Sequence, residues 1–559
     1  MPFSSKNMPT ECLEAIFSEI DPDDYATLHS VILVNRKWCK SGIQMLWRKP
    51  LNCNTIPIKR LMKILPFYLA FVNQHDVDNK KKSQTPLFNY PAFLRELNYN
   101  ILYKLVEEWI QASATSREDC FDIDGTEVFT GDTFEERRFQ IANEICKMVF
   151  TQSISGRLDY FNVDLYPSYE RTTGHTWFEK CARRAISKIP SFLAASSCFA
   201  DLKTLICNDF FNANHFFIRL SQYSHSIQDL TIIINCRYSY SHTIQNPRLV
   251  VISSPNKNTE FIHLINAQRN LKKLRIENGN VVDISKELSL IFNNHLTKSL
   301  EKLEINGGIL SEGSALEGLT KCQNLEQLSF ENFAITPCNL DSLAMTIFPK
   351  LNSIRFVNID RNWNPNPSNV IVHANLAALI GNSNERLTSI FVYVKTRYCL
   401  NLLATIGENC SNLVNFGTYI TNDQNAKDLL NLLKNCRKLK SLRIPRPLHL
   451  LHGNAEDDIF QDSRFQLYKY FPKIAENLPA CFENLNAAYW RILGKYFREF
   501  LDKAPAGLTS LTWAGEARVV NTHENLLKQY AKKNGKRVKY FKSNKSFGRN
   551  FVQITAELE

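Results

Sequence analysis

Glycine is scarce in this sequence, with 19 residues in a chain of 559. Backbone loops that cradle phosphate groups depend on glycine, and no G-x-x-x-x-G-K-[ST] or G-x-G-x-x-G segment is present. The H-E-x-x-H helix of zinc proteases and the G-x-S-x-G turn of hydrolases are also missing. The sequence therefore contains no recognisable catalytic motif, and we expect a protein that is not an enzyme and that uses no cofactor.

Closely spaced cysteine pairs are absent, although the chain contains 15 cysteines. No C-x-x-C segment occurs, and the shortest separation is between Cys198 and Cys207. Structural zinc and redox sites require tighter spacing, so no metal site is expected. Scattered cysteines in a long chain are typical of reduced thiols in an intracellular protein, and we expect a cytoplasmic or nuclear location, or both.

Long apolar runs and a strong charge excess are also missing. No run approaches the roughly 18 apolar residues needed to span a bilayer, and the first ten residues lack the apolar core of a secretory signal, so no membrane is expected. The formal net charge is +12, with 22% charged residues. This modest excess, without a zinc-finger or RRM signature, makes nucleic acid an unlikely partner.

Apolar residues are concentrated in the stretch from Met8 to Trp47, whose spacing predicts three short helices. Pro9 favours a helix start, and Asp24 and Asn35 are suited to cap the second and third helices. About 40 residues bury little surface, so this stretch either packs on the following domain or leaves an apolar patch for a partner.

The same stretch resembles an F-box, and the segment VNRKWC followed by LW is similar to fungal members of that family. The matching positions are Pro9, Glu11, Leu13, Ile16, Phe17, Leu28, Val34, Trp38, Leu46 and Trp47. Met8 replaces the more common leucine, which nearly conserves volume. The resemblance covers about 40 residues.

The resemblance implies a substrate receptor of a Skp-cullin-F-box ubiquitin ligase, which binds a target protein for ubiquitination and proteasomal degradation. The implied partners are a Skp-family adaptor, through it a cullin-RING ligase, and an unknown target protein. By the same resemblance, the adaptor-binding residues are Pro9, Glu11, Leu13, Ile16, Phe17, Leu28 and Val31. Trp38 and Trp47 are expected to pack the core of the F-box and its junction with the next domain.

A repeated Leu-x-x-Leu-x-apolar pattern follows in the rest of the chain. Its first positions are Leu94, Leu158, Leu202, Ile227, Leu271, Leu300, Leu325, Leu351, Leu387, Leu413, Leu439 and Leu508. From Leu300 the steps are 25, 26, 36, 26 and 26 residues, and most match the period of leucine-rich repeats. Cys322, Cys410 and Cys436 each precede an anchor by three residues and are expected to pack as small apolar side chains. The pattern resembles the Cys-containing repeats often joined to F-boxes.

The predicted fold class is α/β: a short three-helix F-box followed by an irregular leucine-rich-repeat solenoid with parallel inner strands and outer helices. The predicted divisions are an F-box at 8–50, a helical linker and loop at 51–90, a repeat array at 91–545 and a terminal cap at 524–559. An enlarged helical insertion is expected around 453–503, and 73–86 is expected to be a solvated loop.

Target binding is expected at side chains that point away from the core of the inner strands. The candidates are Arg275, Glu304, Ser329, Arg355 and Arg443. Two alternatives to the ligase remain open at this point. One is a repeat scaffold without a ligase role, in which the N-terminal helices serve only as a cap. The other is binding of RNA or a phosphoinositide by the basic C-terminal segment around Lys532 and Arg537.

Overall fold

The computed structural model describes residues 8–53, 56–72, 86–115, 134–152, 157–164, 175–208, 216–234, 260–278, 283–293, 295–335, 338–357, 368–393, 402–447, 465–516, 520–547 and 551–559. Their contacts divide the chain into two compact units. Of the described residues, unit 1 comprises 8–234 and 260–277, and unit 2 comprises 278–559. The predicted loop at 73–86 lies almost entirely outside the described residues. No helix in these ranges has the length and apolar character needed to cross a membrane.

Unit 1 begins with helices and continues with alternating strands and helices. Its helices are α1 Thr10–Ser18, α2 Tyr25–Leu33, α3 Arg36–Leu46, α4 Ile58–Leu61, α5 Leu65–Val72, α6 Tyr99–Thr115, α7 Phe134–Gln152, α8 His175–Ile186, α9 Ala195–Ala200, α10 Phe216–Tyr223 and α11 Glu260–Ala267. Its strands are β1 Glu96–Asn98, β2 Tyr160–Asn162, β3 Thr204–Asn208, β4 Asp229–Ile234 and β5 Lys273–Asn278, whose last residue belongs to unit 2. The first four strands pair in parallel in chain order.

Unit 2 continues the alternation. Its helices are α12 Ser285–Phe292, α13 Cys338–Ala344, α14 Ser368–Ser383, α15 Leu402–Asn409, α16 Asp423–Asn435, α17 Phe471–Asn477, α18 Gly494–Lys503 and α19 Val520–Lys533. Its strands are β6 Lys302–Leu310, β7 Gln327–Ile335, β8 Ser353–Val357, β9 Ser389–Tyr393, β10 Asn415–Thr418, β11 Ser441–Arg443, β12 Asn484–Arg491, β13 Ser510–Glu516, β14 Val538–Phe547 and β15 Phe551–Leu558. Strands β6 to β9 and β9 to β13 pair in parallel with their chain neighbours. Successive helices from α13 to α19 pack against each other. Between β6 and β7 the return segment is the 3₁₀-helix Glu317–Lys321. Parallel strands that alternate with return helices are the leucine-rich-repeat fold, as predicted.

The repeated apolar positions form the core of both units. All twelve predicted triplets are buried, and none of their side chains is more than 7% exposed. The middle residues align across unit 2 in the register Leu303, Leu328, Ile354, Ile390, Phe416, Leu442, Leu485 and Leu511. Alternate residues of a strand point to opposite faces of the sheet. The residue after each of these therefore lies on the opposite, open face of the sheet.

A hydrogen-bond pattern recurs at the starts of neighbouring parallel strands. In unit 2, the N–H groups of Glu326 and Gln327 both donate to the carbonyl of Glu301, at 2.7 and 3.1 Å. The N–H groups of Asn352 and Ser353 then donate to Glu326, at 2.9 and 3.1 Å. The same pair of bonds recurs at Thr388, Val414, Lys440, Glu483 and Thr509, each of which donates, together with the residue after it, to one carbonyl of the preceding repeat. Each repeat is thereby placed in register by the one before it.

The segment predicted as a helical insertion contains a complete repeat. Strand β12 pairs with β11 on one side and β13 on the other, and Phe482, Leu485 and Ala487 are buried like any other anchor triplet. Helices α17 and α18 flank this strand, so the expected extra helices are the outer helices of ordinary repeats. The sequence pattern missed the strand because phenylalanine replaces leucine at the first anchor. Residues 453–464 lie outside the described part of the chain.

Unit 2 ends in an antiparallel hairpin. Strand β15 pairs with β13, and β14 pairs with β15 at the edge of the sheet. Helix α19 leads into β14 through Gly535, which has a φ of +67°. The edge strand carries Lys539 and Lys542, and lysine on an edge strand opposes pairing with further chains. The described residues of the predicted cap at 524–559 therefore include most of α19 and both strands of this hairpin.

The three repeat cysteines are fully buried, as expected. Burial raises the pKa of the Cys322 and Cys410 thiols to about 12 and that of Cys436 to about 11. The Cys436 thiol donates to the carbonyl of Cys410 at 3.2 Å, which links neighbouring repeats. These protonated thiols act as packing groups.

Candidate functional site

The N-terminal helices are fixed by side-chain caps. The Asp24 carboxylate accepts from the N–H of Thr27 at 3.0 Å, and the Asn35 side chain accepts from the N–H of Trp38 at 2.9 Å. The bond to Thr27 holds the pKa of the Asp24 carboxyl below its usual value. Pro9 is the residue that precedes α1. The predicted starts of α2 and α3 are confirmed.

A small core joins the three helices. It consists of Leu13, Phe17 and Val31, with Met8, Ile20, Trp38 and Met45 packed around it. The rings of Phe17 and Trp38 meet edge to face at 5.2 Å. Gly42 lets α3 approach α2, because a Cβ at this position would lie 2.9 Å from a methyl group of Val31. This core therefore consists of residues from the stretch 8–47, which we call the module.

The seven predicted adaptor-binding residues fall into two groups. Leu13, Phe17, Leu28 and Val31 are buried, with 1%, 2%, 1% and 8% exposure, respectively. Pro9 and Glu11 are exposed, and Ile16 is 51% exposed. A partner that binds the module as it is folded here can contact the second group directly, whereas the first group supports that surface from beneath.

Of the apolar side chains that remain exposed, Ile16 was predicted to bind the adaptor, Val34 was only a matching position, and Leu33 was neither. Leu33 is 69% exposed and Val34 is 56% exposed, at the end of α2. Nowhere else among the described residues do three exposed large hydrophobic side chains fall so close together along the sequence. Leu33 escaped the sequence reasoning because it lies outside the helical stripe formed by Leu28, Val31 and Ile32. We call Ile16, Leu33 and Val34 the exposed apolar set.

Trp47 connects the module to the rest of unit 1. Its ring lies 4.2 Å from that of Tyr90 and 5.9 Å from those of Phe67 and Tyr68. The next residue, Arg48, accepts through its carbonyl from the N–H groups of Arg95 and Glu96, at 2.8 and 3.2 Å. This is the same bifurcated bond that joins one repeat to the next. The N-terminal helices are therefore attached to the first strand by the repeat geometry itself.

A second group of candidate residues lies on the open face of the unit 2 sheet. The register places Glu304, Ser329, Arg355 and Arg443 in a single row, which also contains Phe391, Gly417, Asn486 and Thr512. Four of the five predicted target-binding residues thus share one row. The fifth, Arg275, is in unit 1, where its guanidinium pairs with Glu277 at 2.7 Å. Ser329 is only 8% exposed.

The centre of this row is an arginine–aromatic cluster. The guanidinium groups of Arg355 and Arg443 both lie 5.4 Å from the centre of the Phe391 ring. Arg355 also pairs with the Glu331 carboxylate. Gly417 makes room for the rings, because a Cβ there would lie 2.3 Å from the Tyr393 hydroxyl and 2.5 Å from the Phe391 ring. We call Arg355, Phe391, Gly417 and Arg443 the arginine–aromatic cluster.

The sequence identified the two arginines but not the aromatic residue between them. Phe391 lies between Ile390 and Val392, the last two buried positions of the Leu387 repeat, and we call this place in each repeat the variable position. The signal was available, since every such variable position faces away from the core. An apolar residue there is conspicuous, but sequence alone does not show which side chains of neighbouring repeats it contacts.

Comparisons with known proteins are limited to weak structural likeness. No protein-family profile and no curated protein matches the sequence. Among solved structures, a Rad7 and Elc1 complex from yeast matches with 15% identity and a TM-score of 0.33, over 66% of this chain and 87% of that one. An internalin, InlF, from Listeria monocytogenes matches with 11% identity and a TM-score of 0.29, over 62% of this chain and 77% of the other.

Proposed function

We propose that this protein is a substrate-recognition subunit of a Skp-cullin-F-box ubiquitin ligase. In this proposal, the N-terminal helices bind a Skp-family adaptor, and the repeats bind a protein that is to be ubiquitinated and degraded by the proteasome. The protein itself carries out no chemistry. The observation that carries the proposal is the exposed apolar set on a module whose other large apolar side chains are buried or partly buried.

Exposed apolar side chains on helices are suited to a helical protein partner. Burial of a leucine or isoleucine side chain contributes about 1.5–3 kcal/mol, so covering Ile16, Leu33 and Val34 supplies a substantial part of a stable interface. The exposed Glu11 and Pro9 add a polar and a rigid contact at the start of α1. These residues, rather than the buried Leu13 and Phe17, are the proposed contact surface.

The attachment of the module fits a receptor role. Proximity catalysis requires that the bound target be held where the transferring enzyme can reach it, and a loose connection would dilute that effect. The bonds from Arg95 and Glu96 to the Arg48 carbonyl and the aromatic contacts of Trp47 restrict motion between the module and the first strand.

The test is binding of the full chain to a recombinant Skp-family adaptor, measured by calorimetry. The double variant Ile16→Asp, Leu33→Asp places charges where the interface requires apolar contact, and we expect binding to fall at least a hundredfold. Both side chains are exposed, so the fold should survive, which circular dichroism checks. Leu193→Asp is the matched control, because Leu193 is 81% exposed and lies outside the module.

Two results would overturn the proposal. Adaptor binding by the double variant that equals wild-type binding would show that the exposed apolar set is not the contact surface. An absence of binding by the wild-type chain would favour the alternative of a repeat scaffold with no ligase role, in which the N-terminal helices only cap the array. In that case, deletion of residues 1–50 should destabilise the array without removing any known partner.

A further inference from the structure

The cluster on the open face of unit 2 contains an unbalanced positive charge. Arg355 is paired with Glu331, whereas Arg443 forms no ion pair within the described residues and its guanidinium lies over the Phe391 ring. Its side chain is exposed and available to solvent. The two arginines share one ring, so their charges repel each other and only one of them is neutralised. The cluster therefore carries a net charge of about +1 that a ligand could compensate.

The arginines are oriented by their surroundings. Phe391 is partly buried and the neighbouring Tyr393 is buried, and the two rings lie stacked at 6.4 Å. Tyr393 in turn contacts Tyr419 at 5.1 Å. Burial raises the pKa of the Tyr393 hydroxyl far above its usual value, with both arginines opposing the shift, so the phenol stays neutral. A guanidinium held on an aromatic face keeps its N–H donors free for a planar anion.

The charge balance selects the kind of anion. A carboxylate carries a single negative charge and accepts two parallel N–H bonds from a guanidinium. A phosphate monoester carries nearly two charges at neutral pH, which exceeds the single uncompensated positive charge of the cluster. Bases of single-stranded nucleic acid need exposed rings, but Tyr393 is only 8% exposed. A carboxylate therefore suits the cluster better than either alternative.

We propose that the arginine–aromatic cluster binds an acidic peptide segment of a partner protein, with a glutamate or aspartate side chain of that segment paired to Arg443. This rests on the proposed function only in naming the partner as the target of the receptor. The rest of the row provides neutral hydrogen-bonding groups, Asn486 and Thr512, beside Arg443, and an extended peptide can use them in sequence. The flanking Ser329 is nearly covered and contributes little.

The direct test is fluorescence anisotropy of the full chain with a labelled peptide of alternating glutamate and alanine. A peptide with glutamine in place of glutamate shows how much the charge contributes. We expect Arg443→Ala to weaken binding of the acidic peptide about tenfold or more, because a charge-assisted hydrogen bond is lost. Arg498→Ala is the matched control, since Arg498 is an exposed arginine on α18, and we expect less than a twofold change.

Two further variants separate a binding role from a structural one. Glu331→Gln removes the negative charge that pairs with Arg355 and so raises the net charge of the cluster by one, and we expect acidic-peptide binding to tighten several-fold. Gly417→Ala forces the Phe391 and Tyr393 rings to move, and we expect it to weaken binding while both arginines remain in place. A merely structural cluster would show no gain of affinity in Glu331→Gln.

Four outcomes of the binding measurements with these peptides, with Arg443→Ala and with an oligonucleotide would each overturn the proposal. These are equal binding of the glutamine peptide, unchanged binding by Arg443→Ala, much tighter binding of a phosphoserine peptide, or Arg443-dependent binding of a single-stranded oligonucleotide. The chain also contains an acidic run at Glu456, Asp457 and Asp458. Peptide binding that appears only when this run is neutralised would overturn the idea of a separate partner. Adaptor binding is measured on the same preparations, so failure here is distinct from failure of the ligase proposal.

Discussion

The N-terminal helices and the repeat strands of unit 2 bury their apolar side chains in different ways. The helices form a core from a handful of residues, centred on Leu13, Phe17 and Val31, and leave Ile16 and Leu33 in solvent. Each repeat strand instead shares its core with the strands on both sides, so that a middle residue such as Phe416 is completely buried. The comparison teaches that a strand within the array has packing neighbours on both sides, whereas a small group of helices has few and leaves some of its apolar side chains in solvent.

The largest expected effect distinguishes a local core from a shared one. Phe17→Ala and Phe416→Ala both remove a buried ring and should each lower the free energy of unfolding by about 3–5 kcal/mol. Because the module is small, we expect hydrogen exchange in Phe17→Ala to rise mainly in residues 8–47. In Phe416→Ala it should rise in several repeats. If Phe17→Ala raises exchange equally throughout unit 1, the module does not have a core of its own.

Acid should affect the end of the array more than the module. His523 is completely buried beside Trp513, whose indole N–H donates to its Nδ1 at 3.3 Å. Burial lowers the pKa of His523 from 6.5 to about 4. Between these values the unfolded chain binds a proton that the folded chain does not. The free energy of unfolding should therefore fall as the pH is lowered through this window, by about 3 kcal/mol at its lower end.

Urea unfolding of the wild type and of His523→Gln at several pH values measures this effect. The variant cannot titrate at this position and should show a flatter pH dependence. In contrast, the single histidine of the module, His29, is exposed. Equal slopes for the two proteins would show that His523 is not the group responsible.

Equivalent helix caps provide a matched pair of smaller effects. Asn35 caps α3 of the module, and Asn422 caps α16 of the array by accepting from the N–H of Asn425 at 2.8 Å. Replacement of either by alanine should cost about 1 kcal/mol. We expect only Asn35→Ala to weaken adaptor binding, as followed by calorimetry. A similar loss of adaptor binding in Asn422→Ala would contradict the separate roles of the two regions.

The smallest expected effects come from ion pairs. Lys503 pairs with Glu476 at 2.6 Å between two outer helices, and both side chains are more than 40% exposed. Lys503→Ala should change the free energy of unfolding by less than about 0.5 kcal/mol. Lys49 pairs with Asp23 at 2.8 Å, but it is only 12% exposed, so Lys49→Ala should cost more, up to about 1 kcal/mol. The decrease in the thermal unfolding midpoint of each variant measures which ion pair contributes more to stability.

The sequence predicted the fold well because the repeat pattern encodes burial directly. Every Leu-x-x-Leu-x-apolar triplet that it identified lies in the core, and the caps Asp24 and Asn35 start the predicted helices. The repeat at Phe482 was missed because an aromatic side chain fills the space of the usual leucine.

The candidate sites were harder to predict because they depend on which positions stay exposed. Leu13 and Leu28 belong to the resemblance that identified the module, yet both are buried, whereas Leu33 remains in solvent. The contact of Phe391 with two arginines depends on the register of four strands and on the space above Gly417. No local pattern contains that information.

The bifurcated bonds at the strand starts make strand alignment independent of the length of chain between strands. The step from Leu351 to Leu387 is 36 residues, where its neighbours are 26, yet Ile354 and Ile390 are still register partners. The segments that connect one strand to the next can therefore gain or lose residues without altering the open face of the sheet. Such segments are natural places to insert an epitope tag or a fluorescent protein. The same tolerance leaves evolution free to change specificity by single replacements at the outward positions of otherwise unaltered strands.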